Sequence, residues 1–478
     1  KPVDPPKPVN PLPKPTVSPT PTIPSIYGVD LTLSQGKPAL QPIQNSNSQP
    51  LEKGVETLDK SASSPFTQYL GLGDVSGVTL EQAQNLLRGI ESVTGVKPAV
   101  IYAVFVPATI TPVPAAGGEL DEDAADLLLL RSLAPSPSDR LELILITGQG
   151  KPIRKSINIT RAEVIAMATK FRYTVTNARD SLGYLAPAQQ MYQWLFAPLE
   201  ADIEQRGIKN LVYITDTGLR TIPLAALHDG KGFIVERYSM GLMPSLSLTD
   251  TRYGNIHSSH VLAMGASLFK DYRPLPAVPI ELKAITHFWQ GKSFLNQGFT
   301  LENLKLQRAQ TPFGIIHLAT HAEFVPGKPA NSYIQLEDRK LAPMQLKSIG
   351  WAVPPVELLV LSACRTAVGD EEVELGFAGL AVQAGVKSAL ASLWYVNDEA
   401  TLGLMSEFYQ QLTTAPIKAE ALRKVQLEMI SGKVQIKNQQ LITSEGKLPL
   451  PPELTGGGNR DFSHPYYWSG FTMIGNPW

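Results

Sequence analysis

The chain has 478 residues, 18% of them charged, and its formal net charge is −1. This near-neutral balance gives no electrostatic basis for binding nucleic acid, and no apolar run approaches the roughly 18 residues of a membrane-spanning helix. The only cysteine is Cys364, so an internal disulfide is excluded. Because the chain begins at Lys1 rather than at methionine, we expect it to be a fragment, and its cellular localisation stays open.

The first segment, KPVDPPKPVNPLPKPTVSPTPTIPS, is dominated by proline with threonine, serine and lysine. This composition favours an extended polyproline spacer, although a ligand for an aromatic groove is the other interpretation. Residues 26–64 stay polar and weakly periodic. We therefore predict a Pro-rich extended linker over residues 1–64, which leaves room for upstream domains or a regulatory partner protein.

The predicted body begins at about residue 65. In TLEQAQNLLRGIESV (79–93) the apolar residues have helical spacing, and Thr79 followed by Gln82 is typical of a capping box. Buried strands and one long helical stretch follow in chain order: AVIYAVFV (99–106), LELILIT (141–147), a helical stretch around 160–205 and NLVYIT (210–215).

A second set of elements begins near His260. Strands and helices alternate in it: VLAMGAS, a helix over 279–290, SFLNQGFT, a helix over 300–307, GIIHLAT, a strand over 357–361, a glycine-broken helix over 376–386, SALASLW, two helices over 398–430 and GFTMIG. This alternation indicates βαβ units and a parallel-rich sheet with helices on both faces. We predict an α/β fold with two similarly organised halves, 65–254 and 255–478.

Two apolar runs in the second half end in reactive side chains. IIHLATHAE (315–323) carries His321 near its end, and LVLSACRTA (359–367) carries Cys364. Because the apolar positions stop before both residues, we expect each to lie in a turn just beyond a strand. Open α/β sheets hold their sites in the crevice beyond the carboxyl ends of the strands. The sequence therefore predicts that the thiol and the imidazole meet there.

A thiol and an imidazole so placed are the minimal apparatus of a cysteine hydrolase. A free thiol, with a pKa of about 8.5, is mostly protonated at neutral pH and needs a base. His321 is the predicted base, whereas His317 lies inside its apolar run and is predicted to be structural. Cysteine is among the most buried residue types, so Cys364 alone would indicate packing. The pair on two similar strand-turn units favours the catalytic interpretation.

Six segments of the last third of the chain form a recognisable series: HLATHAEF, LVLSACRTAVGD, GFAGLAVQAGVKSALASLWYVNDEAT, LMSEFYQQL, AEALRKVQLEMI and HPYYWSGFTMIG (464–475). In this order they resemble the CHAT domain of the caspase–separase–gingipain clan. The resemblance implies a caspase-like fold, with a degenerate half (65–254) before an active half (255–478). It also implies a cysteine endopeptidase that acts on a protein or peptide substrate through Cys364 and His321.

The same resemblance implies further site residues. The backbone N–H groups of Cys364 and Ala322 would form the oxyanion hole, although the family usually has glycine at the position of Ala322. SLWYVNDEAT (392–401) resembles the lining of the primary specificity pocket, so Asp398 is a candidate for binding a cationic substrate residue; capping the following helix is the other interpretation. Asp370 belongs to an acidic run that is either a cation-attracting rim of the substrate cleft or a solvated loop. No cofactor or metal is predicted, because the sequence has no Cys/His ligand cluster.

Two other function classes stay open on the sequence alone. The main alternative is a catalytically weak or inactive caspase-like module used for protein–protein interaction or assembly, because a fold does not establish activity. The other is an acyltransferase that uses Cys364 on small molecules. A serine-dependent version would need the G-x-S-x-G elbow, which the sequence lacks.

Overall fold

The computed structural model describes residues 49–108, 118–119, 135–351, 353–366, 370–444 and 446–478, and all of them belong to one compact unit. The predicted linker lies outside these ranges as far as residue 48. Within them, no helix is both long and apolar enough to cross a membrane.

Helices cover much of the described chain. The α-helices are α1 (Gln49–Leu70), α2 (Leu80–Thr94), α3 (Arg161–Val175), α4 (Leu185–Leu195), α5 (Glu200–Gln205), α6 (Val278–Phe288), α7 (Leu301–Gln310), α8 (Pro343–Leu346), α9 (Glu371–Ala378), α10 (Leu380–Ala384), α11 (Asp398–Leu412), α12 (Lys418–Ile430) and α13 (Pro452–Thr455). The predicted capping box of α2 is confirmed, because Thr79 Oγ1 accepts from Gln82 N while Gln82 Oε1 accepts from Thr79 N.

The strands are β1 (Pro98–Val106), β2 (Gly118–Glu119), β3 (Arg140–Thr147), β4 (Ile153–Thr160), β5 (Asn210–Thr215), β6 (Ser239–Leu242), β7 (Val261–Gly265), β8 (Gly291–Leu295), β9 (Ile315–Phe324), β10 (Tyr333–Gln335), β11 (Lys340–Leu341), β12 (Leu358–Thr366), β13 (Ser388–Ser392), β14 (Gln435–Lys437), β15 (Gln440–Thr443), β16 (Gly446–Pro449), β17 (Arg460–Asp461) and β18 (Phe471–Gly475). Strands β14 to β17 form a small sheet of their own, and the others form one large sheet.

The large sheet follows the order β11-β10-β9-β12-β13-β18-β6-β5-β1-β3-β4-β2, and β7 and β8 branch from β9. Pairs β9–β12, β12–β13, β6–β18, β5–β6 and β1–β5 are parallel, and the pairs at both ends of the sheet are antiparallel. The α/β fold class is thereby confirmed.

The two predicted halves are not separate compact units. The boundary between residues 254 and 255 falls between β6 and β7, which both belong to the large sheet. Strand β18 pairs with β13 on one side and with β6 on the other, so a strand of the second half connects the two sets. Sequence periodicity finds strands but not the order in which they pair, which is why this continuity was not predicted.

Alternate residues of β1 pack into different cores on the two faces of the sheet. Ile101 joins the main core together with Phe171 of α3. Val100 joins a second core together with Leu58 of α1 and Leu87 of α2. Because successive side chains of a strand point to opposite faces, helices cover both sides of this part of the sheet, as predicted.

The linker predicted as far as residue 64 ends earlier, because α1 begins at Gln49. Val55, Leu58 and Ala62 of this helix are buried. The helix is not apparent from the sequence because its residues are polar on average and because Pro65, which normally breaks a helix, lies inside it.

A buried carboxylate anchors α1 to the body. Asp59 Oδ1 accepts from Leu246 N at 2.8 Å and from Tyr102 Oη at 3.0 Å. Its Oδ2 accepts from Val78 N and from Ser247 N, both at 3.1 Å. Burial raises the pKa of Asp59 above its ordinary value, although these hydrogen bonds act in the opposite direction. The end of the predicted linker is thus part of the folded structure.

Candidate active site

Strands β9 and β12 are longer than the sequence predicted. Because β9 continues to Phe324 and β12 to Thr366, His321 and Cys364 lie within strands rather than in turns beyond them. The prediction ended each strand where its apolar residues end. Backbone pairing continues through the polar positions, since the hydrogen bonds of a ladder do not depend on side-chain hydrophobicity.

Parallel pairing brings the two predicted dyad residues to neighbouring positions of the sheet. His321 pairs with Ala363, and Ala322 pairs with Cys364. A register shift lies just before these pairs, between Leu361 and Ala363. Such bulges change the direction of the strand beyond them and are frequent beside active sites. The register therefore places the backbones of the two residues one position apart on adjacent strands.

The imidazole of His321 is held by a backbone carbonyl. Its Nε2 lies 2.8 Å from Arg273 O, and since a carbonyl oxygen only accepts, Nε2 must carry the proton. In the neutral ring the lone pair then belongs to Nδ1. Burial lowers the pKa of His321, against the opposing effects of Arg273 and Glu323. The imidazole is therefore neutral at pH 7 and has the form of a general base.

Three aromatic rings surround this imidazole. The Phe269 ring centroid lies 4.7 Å from that of His321, the Tyr272 ring stacks on it at 5.2 Å, and the Tyr395 ring stacks at 6.3 Å. Phe269, Tyr272 and Arg273 all belong to the segment between β7 and α6, so this segment supplies both the carbonyl and part of the aromatic surrounding. No motif in the sequence pointed to this segment.

A chain of hydroxyl groups holds Tyr272 in place. Tyr333 Oη donates to Glu323 Oε2 at 2.8 Å. Because its proton is used in that bond, Tyr333 Oη accepts from Tyr272 Oη, which lies 2.8 Å away. The ammonium of Lys340 lies over the Tyr333 ring, 3.9 Å from its centroid. Glu323 therefore acts on His321 through charge and through Tyr272.

His317 has a different environment, deep in the core. It is fully buried, its Nδ1 lies 3.1 Å from Tyr409 Oη, and its Nε2 lies 2.8 Å from Glu281 Oε1. Tyr409 lies on α11 and Glu281 on α6. The ring thus connects β9 to two helices, which supports the structural role predicted for it.

Ala322, at the position where the family usually has glycine, is buried and pairs with Cys364 on one side and with Ile334 of β10 on the other. Its φ lies outside the left-handed region. An alanine therefore fits this backbone without the strain that a positive φ would cause.

Asp398 does not cap helix α11, so that interpretation was wrong. The N-cap is Asn397, whose side chain accepts from Ala400 N at 3.1 Å. Asp398 lies in the first turn, and its Oδ2 accepts from Ala277 N at 2.7 Å. The pKa of Asp398 is raised to about 7, mainly by burial and also by the neighbouring carboxylates.

The hydrogen bond to Ala277 gives Asp398 a place in the site. Ala277 ends the segment that carries Arg273, so Asp398 fastens the segment that holds the imidazole of His321. Tyr395, whose ring stacks on that imidazole, also lies near Asp398. Burial is the main cause that raises the pKa of Tyr395 to about 12, and the negative charge of Asp398 is the second cause. Asp398 therefore lies next to the aromatic surrounding of His321.

Asp370 is the N-cap of helix α9, and its Oδ1 accepts from Val373 N at 3.0 Å. The acidic run is therefore the start of a helix and not a solvated loop. Glu372 accepts from Gly327 N at 2.5 Å, and the buried Glu374 accepts from Gly218 N at 2.7 Å. Acidic residues are favoured in the first turn of a helix because they interact with the positive end of its dipole.

Arg172 of α3 is a residue that sequence reasoning missed entirely. It is buried, and its Nη2 donates to the backbone oxygens of Thr366, at 3.0 Å, and of Leu393, at 2.6 Å. It also donates to Thr366 Oγ1. An arginine in an amphipathic helix normally indicates an exposed face, so nothing in the sequence pointed to these contacts.

Among the residues with described positions, no group of three or more His, Cys, Asp or Glu side chains could hold a metal ion. The arrangement around His321 instead provides a neutral base with a fixed tautomer, beside the backbone of the only cysteine.

Comparison with known proteins gives one family. The profile of the CHAT domain matches residues 185–476. A chain of the Saccharomyces cerevisiae separase–securin complex is 8% identical with a TM-score of 0.43, and the match covers 83% of this chain but only 31% of that one. A chain of the complex of Porphyromonas gingivalis RgpB pro- and mature domains is 8% identical with a TM-score of 0.36, covering 66% of this chain and 75% of that one. No curated protein sequence matches the chain.

Proposed function

The chain belongs to the CHAT family, and on this premise we propose that it is a cysteine endopeptidase that hydrolyses peptide bonds through Cys364 and His321. One observation carries the proposal. Arg273 O accepts from His321 Nε2 and so fixes the imidazole, on the strand next to that of Cys364, in the tautomer that a general base needs.

The mechanism starts with proton transfer. His321 Nδ1 accepts the proton of the Cys364 thiol, and the Nε2–H bond to Arg273 O stabilises the imidazolium that forms. The thiolate adds to the carbonyl carbon of the substrate peptide bond. The tetrahedral intermediate collapses to a thioester, and His321 gives its proton to the departing amine. Water activated by His321 then hydrolyses the thioester and releases the thiol.

Backbone groups would stabilise the negative oxygen of the intermediate. We assign this role, which the family resemblance implies, to the N–H groups of Cys364 and Ala322. For the substrate we propose a protein or peptide with a cationic residue before the scissile bond, received by Asp398. Asp370 would contribute negative charge at a longer range, since its carboxylate is engaged in capping α9.

The test is covalent labelling by a peptide-based thiol-reactive probe, combined with hydrolysis of fluorogenic peptides. Since the chain has a single cysteine, all labelling reports on Cys364. We expect Cys364→Ala to abolish both signals and His321→Ala to lower turnover about 10²–10⁴-fold. His257→Ala is the matched control, because the His257 Nε2 also lies near a backbone carbonyl, 3.1 Å from Ala415 O, but in another part of the fold.

Equal effects of the two histidine variants would contradict the dyad. A wild-type protein that neither hydrolyses the peptides nor reacts with the probe would support the alternative function, an inactive module for protein–protein interaction or assembly.

A further inference from the structure

We propose that Arg172, in the first half of the chain, is a positioning residue for the peptidase reaction, since it fixes the relative position of the two strand ends that form the site. The inference rests on the proposed function. It gives the half without a thiol a part in the reaction, through the placement of the strand that carries Cys364.

The guanidinium of Arg172 binds three oxygen atoms at two strand ends. Its Nη2 donates to Thr366 O, Thr366 Oγ1 and Leu393 O, and its Nη1 lies 3.4 Å from Thr221 O. Thr366 is the last residue of β12, and Leu393 directly follows β13. One side chain therefore holds the carboxyl ends of two adjacent strands together.

The two acceptors lie close in sequence to the site residues. Thr366 is two residues beyond Cys364, on the same strand. Leu393 is two residues before Tyr395, whose ring stacks on the imidazole of His321. A shift between the two strand ends would change the position of the nucleophile relative to the surroundings of its base. Misplacement by about 1 Å can cost about 10²-fold in rate.

The burial of a charged side chain is weak evidence that the side chain stabilises the fold. Arg172 is 3% exposed, and removing a charged group from water is unfavourable, so an apolar residue of similar volume would often be at least as stabilising. Burial lowers the pKa of Arg172 to about 10, while Glu374 raises it. The guanidinium thus stays charged at neutral pH, and its planar donors give the geometry that a position-fixing contact needs.

A neighbouring cavity makes the inference testable by chemical rescue. The cavity measures about 130 Å³ and is lined by Arg172, Thr221 and Glu374, among other residues of α3, α9 and the segment after β5. Arg172 Nε has no hydrogen-bond partner among the described residues. Truncation of the side chain would enlarge this space enough for a free guanidinium ion.

The experiment measures kcat and KM of Arg172→Ala for a fluorogenic peptide, with and without millimolar guanidinium. We expect kcat to fall at least about 10-fold with KM changed less than about threefold. Guanidinium should restore several-fold activity, whereas equal urea or NaCl should not. Arg172→Lys keeps the charge without the planar guanidinium, and its kcat should lie between those of wild type and Arg172→Ala. This variant replaces Arg172→Ala in the test if the alanine variant does not fold.

Arg154→Ala is the matched control, because Arg154 is also buried and in the first half, but pairs with Glu142 on β3, at 3.0 Å. It should lower the melting temperature and leave kcat unchanged. Three results would overturn the inference while leaving the peptidase function standing. They are equal losses of kcat in the Arg154 and Arg172 variants, an unchanged kcat in Arg172→Ala, and rescue by urea as well as by guanidinium. A wild-type protein without hydrolysis would overturn both.

Discussion

Replacement of Asp59 by alanine should destabilise the whole protein, although Asp59 lies in the segment that the sequence predicts to be a linker. Four donors converge on its carboxylate: Leu246 N, Ser247 N, Val78 N and Tyr102 Oη. Removing one partner of a buried charged arrangement typically costs about 3–5 kcal/mol. Because burial already raises the pKa of this carboxyl, part of the hydrogen-bond energy offsets desolvation, and we expect a loss of about 3 kcal/mol.

The assay is equilibrium unfolding in urea, with the slope of the transition checked for constancy between variants. Asp59→Asn keeps one accepting oxygen and should cost about half as much, since its amide would face two of the four donors. Asp74→Ala is the control, because its side chain is 93% exposed, and it should stay within about 0.5 kcal/mol of wild type. A loss below about 1 kcal/mol for Asp59→Ala would refute the reasoning.

The remaining predictions concern charge and pH at the site. Asp398→Asn should keep the hydrogen bond from Ala277 N but lose cleavage after arginine or lysine. The pKa of Asp398 is raised from 3.8 to about 7, so the contribution of Asp398 to stability is fully present below about pH 4 and is lost as the pH rises through about 7. The melting temperature of Asp398→Asn relative to wild type should therefore rise between pH 4 and 8. A difference in melting temperature that stays constant over this range would contradict the raised pKa. Because burial lowers the pKa of His321, the acid limb of kcat/KM should fall below pH 6.5; a limb above that value would mean that another group controls activity. Asp370→Ala removes the cap of α9 and should lower the free energy of unfolding in urea by about 1 kcal/mol. The variant should also have a higher KM for a cationic peptide, and this difference should disappear at high salt. An unchanged free energy of unfolding would show that the hydrogen bond from Val373 N contributes nothing to stability.

The sequence predicted the α/β class and the elements around the site because apolar runs and helical periodicity are local signals. It also indicated the strands that carry His321 and Cys364, although not how far they extend. Strand ends depend on backbone pairing with neighbours, and the ladder past Leu361 uses polar positions that no hydrophobic pattern marks.

Contacts between distant segments were beyond sequence reasoning. The carbonyl of Arg273 that holds His321 is a backbone group, so no residue type reveals it. Arg172 is a charged residue on a helix, for which an exposed position is the ordinary expectation. For Asp398, the partner Ala277 lies far away in the chain, and only the folded structure brings the two together.

Strand β18 has a consequence for the order of folding. Its neighbours β13 and β6 come from opposite sides of the predicted boundary, and β6 lies far from β18 along the chain. Closing so long a loop is entropically slow, and until it happens β13 and β6 each have an open edge that invites pairing with other chains. We therefore expect the docking of β18 to limit the folding rate, and either half produced alone to aggregate.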